Sequence, residues 1–274
     1  MDVSGKTKIT GIFGCPIEHT LSPAMHNAAF QALGLDMCYV PFLVEPASLE
    51  NAVQSIRTLN MLGINTTVPH KENVIPFLDH VNDEAAFIGA VNTITNTGGI
   101  LTGYNTDGRG FMRSLQEAEI DVTDKKVLVI GAGGASRAVC YYLSEKASSL
   151  SLIDIDREKA SSLVRDLSKI RSNVHLLDNI DTNVKPDILV NATPLGLKQN
   201  DPLPVSRQML TPEMAVCDLI YKKTPLLMEA EKAGSKTLNG AGMLLWQGIL
   251  AFELWTGVKP PVDLMRKELL SRIS

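Results

Sequence analysis

The chain has 274 residues, 45% of them hydrophobic and 20% charged, enough for one large or two small domains around a sizeable packed core. A formal net charge of −4 argues against a general nucleic-acid binder, because neutralising phosphates takes clustered Lys and Arg. No apolar stretch approaches the ~20 residues of a membrane span and no apolar signal region opens the chain; with four scattered cysteines and no C-x-x-C pair, a cytoplasmic protein with free thiols and no membrane partner is expected.

In chain order, "KITGIFG" (8–14) reads as a β-rich run stopped by glycine. The helix that follows (22–35) takes Ser22 as N-cap, Pro23 as N1 and Gly34 as its stop. A strand at 37–44, a helix at 47–59 and a strand at 61–68 continue the alternation, which points to a mostly parallel α/β sheet. Residues 90–108 read as a hairpin turning at Gly98-Gly99, with Asp107 and Gly108 just ahead of a helical pattern. A second unit opens at 125–143 as strand, glycine turn and helix. Its next strand is 149–156, its next helix 157–170, and later strands fall at 186–193 and 214–221. From Asn239 onward the chain reads as largely helical. There is no internal repeat and no low-complexity segment.

"VLVIGAGGAS" (127–136) carries the first chemistry. A strand runs into Gly131-Ala132-Gly133-Gly134-Ala135, a turn that brings backbone N–H groups and a helix N-terminus against a pyrophosphate. The third glycine of the usual fingerprint is replaced by Ser136, which still permits close helix–strand packing. Asp154, about 20 residues on, suits the ribose hydroxyls of a dinucleotide. Its carboxylate, and that of Asp156 expected on the same strand face, repel a 2′-phosphate, so charge favours NAD over NADP. Arg157 and Lys159 would offset that repulsion if they turned inward. Asp156 also suits an N-cap for the following helix.

A dinucleotide domain calls for an acid–base group elsewhere, and "NTTVPHK" (65–71) offers two, His70 and Lys71. Six stretches decide between them: "GCPIEHTLSPAMHN" (14–27), "NTTVPHK" (65–71), "AVNT" (90–93), "NTDG" (105–108), "GAGGASRA" (131–138) and "NGAGMLLWQG" (239–248). In this order, over nearly the whole chain, the set resembles the shikimate dehydrogenase family, including its quinate/shikimate branch. The resemblance implies a two-domain α/β enzyme: a substrate-binding and catalytic domain (1–107 with 240–274) and a Rossmann-like dinucleotide domain (108–239). It implies reversible reduction of 3-dehydroshikimate to shikimate with NAD(P)H, a step toward aromatic amino acids.

The family's catalytic lysine and aspartate fall on Lys71 and Asp107. A lysine beside a carboxylate keeps its proton and one orientation, and it stabilises negative charge developing on a substrate oxygen. The resemblance further implies carboxylate-binding hydroxyls at Thr20 and Ser22, and polar substrate contacts or site-ordering residues at Asn65, Thr67, Asn92, Tyr221 and Gln247. Met243 packs near the nicotinamide in this reading, Gly240 lies with it on the cofactor side, and so does Thr193. Three departures stand out. Thr20 replaces the more usual serine and bears on shikimate against quinate. Cys15 replaces an asparagine. Asp154-Ile155-Asp156 replaces the Asn-Arg-Thr run of NADP-using members, so the arginine clamp on the 2′-phosphate is missing. Histidines 19, 26, 80 and 175 read as satisfied or solvated, and no spacing suggests a metal site.

Alternatives are an NAD-dependent quinate dehydrogenase, a non-catalytic dinucleotide sensor and an unrelated folate- or homocysteine-pathway dehydrogenase. The Lys71/Asp107 pair argues against the sensor. The Thr20/Ser22 hydroxyl pair argues against the unrelated enzyme. The apolar C-terminal helices suit internal packing or a homodimer interface equally.

Overall fold

The computed structural model describes residues 3–180, 185–198 and 200–273. The chain divides into two compact units, Met1–Asp107 with Leu245–Ser274, and Gly108–Leu244.

In the first unit β1 (Lys8–Gly14), α1 (Ser22–Ala32), β2 (Met37–Leu43), α2 (Leu49–Thr58) and β3 (Gly63–Thr66) build a parallel core. The short α3 (His70–Asn73), β4 (His80–Val81) and α4 (Asp83–Ile88) follow, then the hairpin β5 (Thr93–Thr97) and β6 (Ile100–Tyr104). The sheet order is β2-β1-β3-β5-β6-β4, with β5 antiparallel to both neighbours. Gly98 and Gly99 turn the hairpin with φ of +62° and +91°, the conformation a two-residue turn of this kind demands. Helix α2 buries Leu49, Val53 and Ile56, the apolar residues at i, i+4 and i+7, against Phe13, Ile64, Ile94 and Leu101.

The second unit takes in α5 (Asp107–Glu117), β7 (Lys126–Ile130), α6 (Gly134–Lys146), β8 (Ser149–Ile153), α7 (Arg157–Ser168) and β9 (Val174–Leu176). Beyond these come β10 (Ile188–Asn191), β11 (Ala215–Asp218), α8 (Pro225–Lys232) and β12 (Lys236–Leu238). All six strands are parallel in the order β12-β11-β10-β7-β8-β9. The order reverses between β7 and β10, and in such sheets a ligand binds beyond the strand C-termini at that point. The closing helices are α9 (Ala241–Thr256) and α10 (Val262–Leu270). The Trp255 indole of α9 donates to the Ile94 carbonyl at 3.0 Å, which ties the returning chain to the first sheet.

Several expectations need correction. Ser22 does not cap α1: Leu21 holds the N-cap position, no side chain caps the helix, and Ser22 is its first residue. The expected helix at 47–59 is a 3-10 turn (Pro46–Ser48) followed by α2. The strand expected at 61–68 shrinks to four residues, Gly63–Thr66, the span that pairs with β1. Helix α8 and strands β9 and β12 are elements that the sequence pattern does not predict.

Candidate active site

Lys71 follows β3 on the short α3, and Asp107 opens α5 directly after β6. The Lys71 Nζ sits 2.5 Å from Asp107 Oδ2, with the lysine side chain 16% and the aspartate 5% exposed. The other carboxylate oxygen, Oδ1, accepts from Asn92 Nδ2 at 2.9 Å. Asn92 is held in turn: its Oδ1 accepts from the Thr106 N–H at 2.8 Å, and its Nδ2 also reaches Thr106 Oγ1 at 2.9 Å and Gln247 Oε1 at 3.5 Å. A partly buried lysine thus faces a buried carboxylate whose two oxygens are both engaged, on elements brought together by β3, β5 and β6. His70 is buried in a different role, its Nε2 donating to the Val44 carbonyl at 2.7 Å.

Asn65, at the end of β3, is buried and saturated as a donor. Its Nδ2 gives both hydrogens, to the Asn92 carbonyl at 2.9 Å and to Thr93 Oγ1 at 3.0 Å, while its Oδ1 accepts from the Tyr39 hydroxyl at 2.8 Å. Toward a further ligand this amide has only acceptor capacity left. Ser22 is buried, while Thr20 and Thr67 are half-buried. Gln247 is buried on α9.

In the second unit, Gly131 ends β7 with φ of +108°, and a Cβ there would lie 2.7 Å from the Ala192 carbonyl oxygen. Gly133 is exposed, is the N-cap of α6, and has open space where its Cβ would project. No side chain caps α6. Gly134, Ala135 and Ser136 therefore present their N–H groups at the positive end of a 13-residue helix, an arrangement that fits a pyrophosphate. Asp154 lies beside this turn: its Oδ2 accepts from the Ala132 N–H at 2.6 Å and its Oδ1 from the Asp156 N–H at 2.7 Å.

Strand β8 stops at Ile153, so Asp156 is not on a shared strand face with Asp154 as expected. It is the N-cap of α7, accepting from the Lys159 N–H at 3.2 Å. Arg157 and Lys159 do not turn inward. Arg157 pairs with Asp178 at 2.5 Å, and Lys159 lies 3.7 Å from Asp156. Ile155 projects fully into solvent. Thr193, beyond β10, donates through Oγ1 to Asn191 Oδ1 at 2.7 Å, and Asn191 Nδ2 donates to the buried Asp218 at 3.1 Å. Tyr221 is half-buried just past β11, Gly240 donates its N–H to the Ile220 carbonyl at 3.0 Å, and Met243 is buried at the start of α9.

His26 contradicts the expectation of a satisfied or solvated histidine. It is wholly buried, and neither ring nitrogen has a hydrogen-bond partner among the described residues. Burial lowers its pKa to about 3. Sequence reasoning also missed Tyr39, Thr93 and Thr106, which brace the asparagines. Thr93 and Thr106 sit inside recognised motifs, whereas Tyr39 is an ordinary strand aromatic whose partner lies 26 residues away.

Residues 12–94 match the model of the shikimate dehydrogenase substrate-binding domain, 114–197 that of shikimate/quinate 5-dehydrogenase, and 240–270 that of the shikimate 5′-dehydrogenase C-terminal domain. The chain is 48% identical to the shikimate dehydrogenase (NADP+) of Desulforamulus reducens over 99% of its own length and 98% of the relative's. The chain belongs to the shikimate dehydrogenase family. Its fold follows that of solved shikimate dehydrogenases. One, in complex with NADP+, is 38% identical with a TM-score of 0.92, covering 100% of this chain and 98% of that one. Another, from Listeria monocytogenes in complex with shikimate and NAD, is 39% identical with a TM-score of 0.90, covering 97% and 98%. Family membership makes the chain an NAD(P)-dependent oxidoreductase acting on a CH–OH group.

Proposed function

We propose that the chain reversibly reduces 3-dehydroshikimate to shikimate, with Lys71 and Asp107 as its catalytic pair and NAD preferred over NADP. The observation that carries the reading is the part-buried contact of Lys71 Nζ with Asp107 Oδ2 at 2.5 Å, braced from behind by Asn92. Bound NADH or NADPH supplies the hydride to the carbonyl carbon. As that bond forms, the oxygen gains an electron pair, and Lys71 is placed to donate a proton to it; in oxidation Lys71 takes the proton back. Asp107 holds the ammonium in one orientation, and Asn92 holds Asp107, so the donor does not reorganise during the reaction.

Thr20 and Ser22 bind the substrate carboxylate, and Thr67, Asn65, Asn92, Tyr221 and Gln247 contact or order the hydroxyl-bearing ring. Asn65 and Asn92 serve chiefly as ordering residues, since their amide donors are already engaged within the protein. Residues 1–107 with 240–274 form the substrate-binding and catalytic domain in this proposal, and 108–239 the dinucleotide domain. Gly131 to Ala135 cradle the pyrophosphate, Met243 packs near the nicotinamide, and Thr193 and Gly240 lie on the cofactor side. Four free cysteines suit the reducing cytoplasm as the working compartment.

The preference for NAD rests on charge. Asp154 and Asp156 are both carboxylates, Ile155 stands in solvent where NADP-using members carry an arginine, and Arg157 is paired with Asp178. The test is the initial rate of shikimate and quinate oxidation with each dinucleotide. Wild type is expected to show kcat/KM for NAD at least about tenfold above NADP, the size of one charge-assisted hydrogen bond. The Asp154→Asn, Ile155→Arg, Asp156→Thr combination should raise NADP use by a similar factor. Lys71→Ala is expected to lower kcat by about 100-fold or more. A wild-type preference for NADP refutes the charge reading. Turnover that survives in Lys71→Ala refutes the catalytic one, and binding of NAD without turnover of either acid favours the sensor.

A further inference from the structure

Two strands beside the switch point of the second sheet end on buried polar side chains. Asn191 closes β10, Asp218 closes β11, and the two are register partners. Asn191 is 0% and Asp218 1% exposed. The Asp218 carboxylate accepts three hydrogen bonds, all from neutral donors. Asn191 Nδ2 at 3.1 Å and Thr224 Oγ1 at 2.7 Å meet its Oδ2, and the Ile220 N–H at 3.0 Å meets its Oδ1. Taking a carboxylate out of water is costly, and neutral donors offset that only in part. What an ionised aspartate supplies and an asparagine lacks is two oxygens that only accept.

That acceptor-only chemistry sets which way the Asn191 amide faces. Its Nδ2 is directed to Asp218 and to the Leu195 carbonyl at 3.1 Å. Its Oδ1 is left to accept from the Thr193 N–H at 3.1 Å and from Thr193 Oγ1 at 2.7 Å. Thr193 Oγ1 accepts in turn from the Leu195 N–H at 3.1 Å. The turn 193–195 is thus folded around one amide, and it borders the glycine turn. A Cβ at Gly131 would lie 2.7 Å from the Ala192 carbonyl oxygen and 3.1 Å from the Thr193 nitrogen. We propose that Asp218 is a positioning residue of the dinucleotide site, its carboxylate fixing the Asn191 amide so that the turn at Thr193 keeps its place beside Gly131.

The other oxygen separates this role from general stability. Oδ1 holds the Ile220 N–H, next to Tyr221, and an asparagine at 218 can keep that bond with its own oxygen. Its amide nitrogen then faces Asn191 Nδ2, donor against donor. Asn191 relieves this only by turning over, which sets its oxygen against the Leu195 carbonyl and its nitrogen against the Thr193 N–H.

This role rests on the reading of Thr193 as a cofactor-side residue, and a double-mutant cycle separates the two. Kd for NADH and for NADPH, KM for shikimate and melting temperature are measured for wild type, Asp218→Asn, Thr193→Val, their combination and Thr224→Val. Asp218→Asn is expected to raise both dinucleotide Kd values about tenfold, the scale of one buried group left unsatisfied, with KM for shikimate within about twofold. The combination should bind the dinucleotides no worse than the weaker of the two single variants. Thr224→Val removes a different donor from the same carboxylate and the cap of α8, so it should melt lower and keep its Kd. An Asp218→Asn enzyme that melts lower with Kd unchanged overturns the role. Effects that multiply independently overturn it too, as does an equal loss of affinity in Thr224→Val. Should Asp218→Asn fail to fold, Asn191→Ser breaks the same relay and is expected to show the same rise; an unchanged Kd there overturns the role. If Thr193→Val itself binds as wild type does, the cofactor-side reading of Thr193 has failed, and the role of Asp218 falls with it.

Discussion

His26 is the residue whose burial has the sharpest solution consequence. Its imidazole stacks on Tyr39 and lies 6.2 Å from both Phe30 and Phe252, with neither nitrogen partnered among the described residues. The unfolded chain binds a proton near pH 6.5, whereas the folded chain resists it down to about pH 3. Stability from this group is therefore complete above pH 6.5 and declines as pH falls from there toward 3, by up to about 1.4 kcal/mol per pH unit. His26→Phe should flatten the acid limb of a denaturation series between pH 7 and 5; an unchanged slope would show that other groups set it. Burial likewise raises the Cys140 and Cys217 thiols to about 12, while Cys15 and Cys38 are half-buried. A thiol reagent at pH 8 should label Cys15 and Cys38 first, with Cys140 and Cys217 labelling only after denaturation.

At the scale of the element, α7 depends on Asp156, whose carboxylate receives the Lys159 N–H. Asp156→Ala should cost about 1 kcal/mol in urea unfolding. An Asp156→Asn variant keeps the cap while removing the charge, so a change in dinucleotide preference in Asn without a loss of stability would assign the two roles separately.

Much of this level was legible from the sequence. The glycine pair of the β5–β6 hairpin, the β7–turn–α6 unit and the α2 stripe all carry local signals, and so did the Lys71 and Asp107 motifs. What stayed hidden depends on distant partners. Ser22 has a capping residue's chemistry but sits one position inside the helix. Strands β9 and β12 have three residues each and take their identity from the neighbours they pair with. Tyr39 looks like any half-buried strand aromatic until Asn65 is placed opposite its hydroxyl.

At the scale of the whole molecule, each unit carries its own sheet and core, Phe13 to Leu101 in one and Leu128 to Ala230 in the other. Among the described residues no helix is long and apolar enough to cross a membrane. Hydrogen exchange should reveal the division of labour proposed above. At 100 times its Kd, NAD is expected to slow globally exchanging amides of the second unit about 100-fold, an added stability of about 2.7 kcal/mol. Shikimate should protect the region of residues 65–71 and 105–107 instead. Protection of one and the same unit by both ligands would contradict the assignment.

Two glycines two residues apart answer to different judges. A methyl at Gly131 runs into the Ala192 carbonyl of the chain itself, and its φ of +108° is strained for any side chain. At Gly133 a methyl meets nothing. In a saturation library sorted first for folded protein and then for turnover, alanine at 131 should vanish in the first sort and alanine at 133 only in the second. Side by side in one motif, the first is kept by architecture and the second by the molecule it must let approach.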